Sequence, residues 1–240
     1  MGQIIACGNL KGGTGKSTIA INVACALARR GHTVIVLDVD PQGTSSRWAR
    51  RGLLPVWAEA APPVDLHGRG RWQSRAIELA GTFDLVVLDL PPLVGPALAS
   101  ASMISDLVLV PITPSGVDVQ PTAEALRILR RARESRGGHK PKGLLVPNKV
   151  DDRGHYGEAT RQAFDNLPER WSPPISQDTA HVNAFAAGAW VGSYAPGSRA
   201  AEEIEALREV VEALLADLAT MASAVTPRDR SPVPRAPIPA

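Results

Sequence analysis

Residues 11–18 read K-G-G-T-G-K-S-T, a run of glycine, lysine and hydroxyl residues of the kind that binds phosphate. Glycines allow backbone N–H groups to close around an anion, and a helix that follows adds the partial positive charge of its N-terminus. In such a loop Lys16 reaches the terminal phosphates of a nucleotide, and the Ser17 hydroxyl binds Mg²⁺. The predicted phosphate-binding residues are Lys11, Gly12, Gly13, Thr14, Gly15, Lys16, Ser17 and Thr18.

The loop departs from the common pattern G-x-x-x-x-G-K-[ST], because Leu10 occupies the first glycine position and Lys11 follows it. A lysine at the mouth of the loop is badly placed to reach back into its own site. We therefore expect the Lys11 ammonium to serve the phosphates of another subunit. Lys11 and Lys16 are both candidate catalytic cations.

The elements on either side of the loop are those that a phosphate site needs. Residues 3–7 form a short apolar run suited to a buried strand. Ile19, Val23 and Leu27 are spaced like one face of a helix that ends at Gly31. A glycine-rich turn with scattered lysines is the alternative, and this order of strand, loop and helix disfavours it.

Further apolar runs end in acidic residues. Residues 33–37 lead to Asp38 and Asp40, and residues 83–88 lead to Asp89. In open α/β sheets the carboxyl ends of the strands bind ligands. Asp38 and Asp40, two residues apart on an extended segment, can both face a magnesium phosphate, and an aspartate at the end of an apolar strand commonly holds Mg²⁺. A local Asp-Pro turn at residues 38–42 and a helix-capping role for Asp89 are the alternatives.

The motifs K-G-G-x-G-K-[ST], D-x-D-P-Q at residues 38–42 and D-x-P-P at residues 89–92 resemble those of the deviant-Walker P-loop ATPases of the ParA/MinD group. The resemblance runs from about residue 3 to about residue 215, and it is greatest to small ParA-type proteins that lack an N-terminal DNA-binding domain. It implies an α/β fold, doubly wound, with a mostly parallel sheet and helices on both faces. It also implies ATP and Mg²⁺ as cofactors and a homodimer formed with ATP.

The same resemblance assigns roles to individual residues. Lys11 would cross the dimer interface to the partner's ATP. Asp40 would position or deprotonate the attacking water, while Ser17, Asp38 and Asp89 would hold the magnesium ion.

The segment Asn148-Lys149-Val150-Asp151 follows a predicted strand at residues 143–147 and leaves two alternatives open. N-K-x-D resembles the guanine-reading motif of GTPases, whereas an asparagine at this strand end contacts adenine in the ParA group. The GTPase alternative also requires D-x-x-G, and no glycine follows Asp89 within three residues. We therefore expect ATP, with Asn148 as a base contact and the role of Asp151 open. Asp118 is expected in a turn or cap, with a cross-subunit role left open.

Basic residues are concentrated between residues 127 and 142, where Glu134 is the only acid. A solvated helix face is the alternative to a DNA-binding surface here. A second candidate set lies near the last predicted helix, at residues 202–218. Because no helix-turn-helix is apparent, binding should be to phosphate, sensitive to salt and without sequence preference. The predicted DNA-binding residues are Arg127, Arg130, Arg131, Arg199 and Arg208.

Composition is that of a globular protein with one domain. The chain has 240 residues, 44% of them hydrophobic, and a net charge of +2. We predict a single domain over residues 1–222 and a proline-rich, disordered tail over residues 223–240. Cys7 and Cys25 are expected to be reduced core thiols, and Trp48 and Trp57 are favoured as core residues over exposed partner contacts.

The sequence gives no sign of a membrane association. No run approaches the roughly 18 apolar residues that a span needs, no signal peptide is recognised, and the last predicted helix is acidic. We expect a cytoplasmic, nucleoid-associated protein.

The resemblance implies an ATPase switch that is slow alone and stimulated by a partner. In the ATP state it would bind DNA non-specifically, and it would drive plasmid or chromosome partition with a ParB-like or small centromere-binding adaptor. One alternative is the same ATPase positioning a protein cargo, either an organelle or a chemotaxis cluster. Less favoured are a metabolic ATP-dependent synthetase of the same superfamily and a non-hydrolysing DNA scaffold.

Overall fold

A central parallel sheet organises the chain. The structure, a computed structural model, describes residues 1–62, 71–92, 95–113, 119–151, 167 and 169–225. The strands are β1 (Gln3–Cys7), β2 (Val34–Asp38), β3 (Trp57–Ala60), β4 (Leu85–Asp89), β5 (Leu107–Ile112), β6 (Lys142–Val150), β7 (Arg170–Trp171) and β8 (Ile175–Ser176). Their order in the sheet is β3-β2-β4-β1-β5-β6-β7, with β8 also pairing β6, and each of these pairs is parallel.

Helices cover both faces of this sheet. They are α1 (Lys16–Arg29), α2 (Thr44–Ala49), α3 (Trp72–Leu79), α4 (Gly95–Ile104), α5 (Val119–Ser135), α6 (Thr179–Ala187), α7 (Val191–Tyr194) and α8 (Arg199–Val225). Side chains alternate along β1, because successive residues of a strand point to opposite faces. Ile5 and Cys7 enter the core shared with α1, α2 and α8, whereas Ile4 and Ala6 enter the core shared with α3, α4 and α5. The predicted doubly wound α/β fold is confirmed.

The strands predicted from apolar runs are all present; β1 has the predicted ends, and the ends of the others are shifted. The last helix is longer than predicted and continues to Val225, past the predicted domain boundary at residue 222. One face of this helix is apolar and buried, with Ile204, Leu207, Val211, Leu214 and Leu215. Residues 226–240 of the predicted tail, and Asp118, lie outside the described residues. Within the described residues, no helix is both long enough and apolar enough to cross a membrane.

The two tryptophans considered together in the sequence have different environments. Trp48 is 2% exposed, as predicted for a core residue. Trp57 is 74% exposed, so its assignment to the core is wrong. It lies on β3, which among the described strands pairs with β2 only, at the edge of the sheet. Cys7 and Cys25 are free thiols and buried, as predicted.

Candidate functional site

The phosphate loop, residues 8–15, connects the carboxyl end of β1 to the first turn of α1. Two of its glycines adopt left-handed backbone conformations, with φ of 77° at Gly13 and 89° at Gly15. Gly15 caps α1 without any side-chain hydrogen bond, and the first intrahelical bond runs from Ile19 N to Gly15 O. The N–H groups before Ile19 therefore have no intrahelical acceptor, which is the arrangement that binds anions at a helix N-terminus.

Lys16 is folded back onto this loop. Its side chain is largely buried, and Nζ donates to the carbonyl oxygen of Lys11 at 3.1 Å. Burial lowers the pKa of Lys16, while the Cys7 thiol and the carboxylates of Asp89 and Asp40 raise it. The ammonium is thus held inside the loop, beside the acidic groups of the site.

The mouth of the loop is tied to the neighbouring strand by a residue that the sequence did not single out. Asn9 is 2% exposed and donates from Nδ2 to the carbonyl oxygen of Pro111 in β5 at 2.8 Å. Its Oδ1 lies 3.4 Å from the backbone nitrogen of Lys11. Asn9 therefore fixes the backbone from which the half-buried Lys11 side chain starts.

The predicted acidic residues meet at one edge of the sheet. Asp38 and Asp89 end the neighbouring strands β2 and β4 and are direct partners in the register, and Asp89 is also the partner of Cys7 at the end of β1. Asp38 accepts hydrogen bonds from the backbone nitrogens of Asp40 and Ser46 at 3.2 and 2.8 Å. The phosphate loop and these carboxylates therefore lie side by side, as expected from the strand ends.

Asp89 is a buried carboxyl group with one oxygen unused. Its Oδ2 accepts from the Ser45 hydroxyl at 2.6 Å, whereas buried Oδ1 has no hydrogen-bond partner in the described part of the chain. Burial raises the pKa of Asp89 to about 7; the hydroxyls of Ser45 and Ser17 oppose this shift, and Asp38 and Asp40 add to it. The pKa of Asp38 is likewise raised by burial.

These groups fit a magnesium ion. Mg²⁺ prefers carboxylate and hydroxyl oxygens, and it relieves the repulsion between neighbouring carboxylates. An orphaned, buried carboxylate oxygen on Asp89, with the Ser17 hydroxyl close to the same carboxyl group, supplies such ligands. Asp40 is more exposed, and its Oδ1 accepts from the backbone nitrogen of Gln42 at 2.9 Å.

Asn148 and Lys149 brace the phosphate loop from the end of β6. Asn148 Nδ2 donates to the carbonyl oxygen of Thr14 at 2.7 Å, and Lys149 Nζ donates to that of Gly13 at 2.8 Å. Lys149 has a φ of 58°, the only positive φ of a non-glycine residue in the described ranges. The bracing was not expected from the sequence. The base contact proposed for Asn148 stays a prediction, as does any role of the exposed Asp151.

The short helix α2 was also missed, although it is joined to both strand-end carboxylates. Ser45 and Ser46, at its start, supply the hydrogen bonds to Asp89 and Asp38. The available signal was the run Gly43-Thr44-Ser45-Ser46 directly after the acidic motif, because glycine and hydroxyl residues favour helix starts.

The predicted DNA-binding arginines fall into two groups. Arg127, Arg130 and Arg131 are exposed on α5, where Arg127 pairs with Glu124 and Arg130 lies 3.9 Å from Glu134. Arg199 is half-exposed at the start of α8 and forms an ion pair with Glu203 at 2.8 Å.

Arg208 contradicts its prediction. Only 3% of its side chain is exposed, and its guanidinium is enclosed by the carboxylates of Glu205, Glu209 and Glu212. The prediction that Arg208 contacts DNA is wrong, because its guanidinium is buried and forms ion pairs with glutamates of the same helix. Two other arginines of the basic stretch, Arg133 and Arg136, are likewise engaged, with Glu169 and with the carbonyl oxygens of Ser102 and Ser105.

Comparisons with known proteins agree with this geometry. The family model "CobQ/CobB/MinD/ParA nucleotide binding domain" matches residues 5–189. The maintenance of carboxysome distribution protein A of Halothiobacillus neapolitanus is 32% identical over 216 residues, which cover 86% of this chain and 95% of that protein. The chromosome-partitioning ATPase Soj of Thermus thermophilus is 31% identical over 242 residues, with 87% of this chain and 95% of Soj covered.

A solved structure shares the fold. The septum site-determining protein MinD of Pyrococcus horikoshii, complexed with Mg-ADP, superposes with a TM-score of 0.70 at 19% identity. The match covers 91% of this chain and 99% of that one.

Proposed function

The chain belongs to the CobQ/CobB/MinD/ParA nucleotide-binding family, and from this premise we propose that it is an ATPase switch. It binds ATP and Mg²⁺, dimerises in that state and binds DNA without sequence preference. Hydrolysis returns the protein to the monomer. The observation that carries the proposal is the register of Asp38 and Asp89 beside the phosphate loop, with one buried oxygen of Asp89 unused.

Each group at the site has a role in this cycle. The N–H groups of the loop and Lys16 hold the phosphates, and Ser17, Asp38 and Asp89 hold the metal, which supplies charge neutralisation on the phosphate oxygens. Asp40 orients the attacking water and accepts its proton. Its position outside the buried pair suits this role, because its carboxylate is more accessible to solvent than those of Asp38 and Asp89.

Lys11 makes the complete catalytic site depend on two subunits. Its backbone is fixed by Asn9, its carbonyl oxygen is occupied by Lys16, and its side chain starts at the mouth of the loop. Across a dimer interface its ammonium neutralises the charge on the partner's nucleotide. An isolated monomer lacks that charge, so hydrolysis is slow until the dimer forms, and an adaptor that completes the site accelerates it further.

Relatives support two cargoes. Soj of Thermus thermophilus is named a chromosome-partitioning ATPase, whereas the relative from Halothiobacillus neapolitanus is named for carboxysome distribution, at nearly equal identity. We propose partition of plasmid or chromosomal DNA with a ParB-like or small centromere-binding adaptor, and positioning of a protein cargo on the nucleoid as the second candidate. The genes adjacent to this one distinguish the two: a gene for a centromere-binding adaptor supports partition, and genes for the components of a protein cargo support positioning.

The experiment that tests the switch is Lys11→Ala, with Lys142→Ala as a matched control. Lys142 is also partly exposed but lies at the opposite end of the sheet, at the start of β6. With ATP and Mg²⁺, wild type and Lys142→Ala should sediment as dimers and hydrolyse ATP, while Lys11→Ala should stay monomeric and lose most of its turnover. Normal dimerisation and hydrolysis by Lys11→Ala would refute the cross-subunit mechanism.

A further inference from the structure

The exposed face of α2 is positively charged and has no acidic neighbours in sequence. Between Pro41 and Ala58 the chain contains Arg47, Arg50 and Arg51 and no aspartate or glutamate. Arg47 and Arg50 are exposed, and neither guanidinium has a hydrogen-bond or ion-pair partner among the described residues. Arg47 lies in α2, and Arg50 is its C-cap residue with helical backbone angles, so the two side chains, three residues apart, lie on the same side of the helix.

Arg51 shows the contrast. Its guanidinium donates to the carbonyl oxygen of Phe185 at 3.0 Å and also to that of Ala186, at the C-terminal end of α6. Its charge lies over the Phe185 ring, 5.6 Å from the centroid. Arg51 is thus engaged in packing, whereas Arg47 and Arg50 form no such contact with the described residues.

A rigid base holds these two arginines in place. Trp48 lies between them in the sequence and is buried. Its Nε1 donates to the carbonyl oxygen of Ala189 at 3.0 Å, and its ring packs edge-on against that of Phe185, with 4.9 Å between the ring centroids. Trp48 therefore fixes α2 against the core, and the side chains on the opposite side of the helix project into solvent.

The start of α2 is joined to the nucleotide site. Ser45 donates its hydroxyl to Asp89, and Ser46 donates its backbone N–H to Asp38 at 2.8 Å. These two hydrogen bonds connect α2 directly to the two carboxylates predicted to hold the metal. By comparison, no hydrogen bond between described residues joins α5 to either carboxylate, and α5 lies on the opposite face of the sheet.

We propose that Arg47 and Arg50 form the principal phosphate-contacting surface for duplex DNA, and that its link to Asp38 and Asp89 makes this contact depend on bound nucleotide. The proposal rests on the ATP-dependent DNA binding put forward above. Arginine guanidinium groups form paired hydrogen bonds with phosphate oxygens. On α5, by contrast, Arg127 and Arg130 already face Glu124 and Glu134, which reduces the attraction of that helix for a polyanion.

Duplex DNA offers this surface a high density of acceptors. It carries about one negative charge per 1.7 Å of helix axis, so two arginines with Cβ atoms about 5–6 Å apart can contact phosphates at the same time. A dimer presents two such surfaces, so weak binding by one is strengthened by the other.

The test compares two double variants of the full chain, Arg47→Ala/Arg50→Ala on α2 and Arg127→Ala/Arg130→Ala on α5. Affinity for a non-specific duplex is measured with ATP and Mg²⁺ over a series of salt concentrations. The α2 variant should bind at least about tenfold more weakly, and the slope of log K against log salt should fall by about 2 for each protomer in contact. The α5 variant should change much less, and both should keep the wild-type melting temperature and DNA-independent hydrolysis.

The outcomes separate the two proposals. Wild type that binds DNA with ATP, together with an α2 variant that binds equally well, would overturn the assignment of the surface and leave the switch intact. Wild type that binds no DNA with any nucleotide would overturn both. If the α2 variant kept its DNA affinity but lost affinity for polyglutamate, the surface would be one for an acidic polypeptide, and the assignment to DNA would be wrong.

Discussion

Ser45 donates its hydroxyl to Asp89 across a 2.6 Å hydrogen bond that joins the start of α2 to the end of β4. The bond occupies Oδ2 and leaves Oδ1 without a partner among the described residues. The carboxyl group is therefore oriented with one oxygen held by the protein and the other available. This is how residues behind a metal site commonly set the direction of its ligands.

Ser45→Ala should weaken the binding of Mg²⁺ with nucleotide by about tenfold, because the orientation of Asp89 is lost. Removal of this hydroxyl should also raise the pKa of Asp89 further, since the hydrogen bond from Ser45 lowers it. Magnesium titration of nucleotide binding measures the effect. Ser102→Ala, which removes another buried serine hydroxyl but one bonded to Leu98 O within α4, should leave magnesium affinity unchanged.

The raised pKa of Asp89 predicts a pH-dependent stability. Burial raises this pKa from 3.8 to about 7, so the folded state binds the proton more tightly than the unfolded chain does. Protonation of Asp89 therefore contributes fully to the free energy of unfolding below about pH 4. This contribution is lost as pH rises to about 7, and the free energy of unfolding falls by up to about 4 kcal/mol. Denaturant unfolding without nucleotide, at pH values from 4 to 8, should show it as a changing difference between wild type and Asp89→Asn. A difference that is constant with pH would contradict the assignment.

Two glycines of the phosphate loop should respond differently to alanine. Both have positive φ, which costs roughly 1–2 kcal/mol for an alanine. A Cβ at Gly13 would meet nothing within 4 Å, whereas one at Gly15 would lie 2.1 Å from Asn148 Nδ2. Gly15→Ala should therefore be the more destabilising by a further 1–3 kcal/mol or so, as expected for a steric clash in a packed site. Thermal unfolding of both variants measures this, and the addition of Asn148→Ala should recover part of the loss in Gly15→Ala alone.

Lys149 combines an unfavourable backbone conformation with a bond to the loop. Lys149→Gly and Lys149→Ala both remove the contact of Nζ with Gly13 O, but only glycine relieves the φ of 58°. Both variants should bind nucleotide more weakly than wild type and to the same extent. The glycine variant should nevertheless be the more stable of the two by about 1 kcal/mol, the cost of a left-handed conformation at a non-glycine residue. Equal melting temperatures would show that the backbone at residue 149 is not strained.

Local patterns were enough to predict the phosphate loop, its flanking strand and helix, and the strand-end aspartates. Each of these is encoded within a few neighbouring residues, and parallel strands bring their carboxyl ends together without further information. The braces could not be predicted in this way. Asn148 reaches Thr14 across 134 positions of sequence, and Ser45 reaches Asp89 across 44.

Surface properties were the least predictable. Trp57 was favoured as a core residue because tryptophan is usually buried, but it lies on the edge strand β3, where no described element buries it. Arg208 was assigned to DNA because it is basic and near the last helix. The three glutamates that enclose it lie within four positions of it on the same helix. Helical spacing could therefore have predicted that Arg208 pairs with these glutamates rather than with DNA.

Retention of the wild-type protein on non-specific duplex DNA is the measurement that tests the proposed ATP-dependent switch most directly. It is made with ATP, ADP or GTP, each with Mg²⁺, at low and high salt. We expect retention at low salt with ATP but not with ADP or GTP, and release when salt is raised. Absence of retention with every nucleotide would contradict the DNA-bound switch, and retention with GTP instead of ATP would contradict the assignment of the nucleotide and turn attention to Asp151.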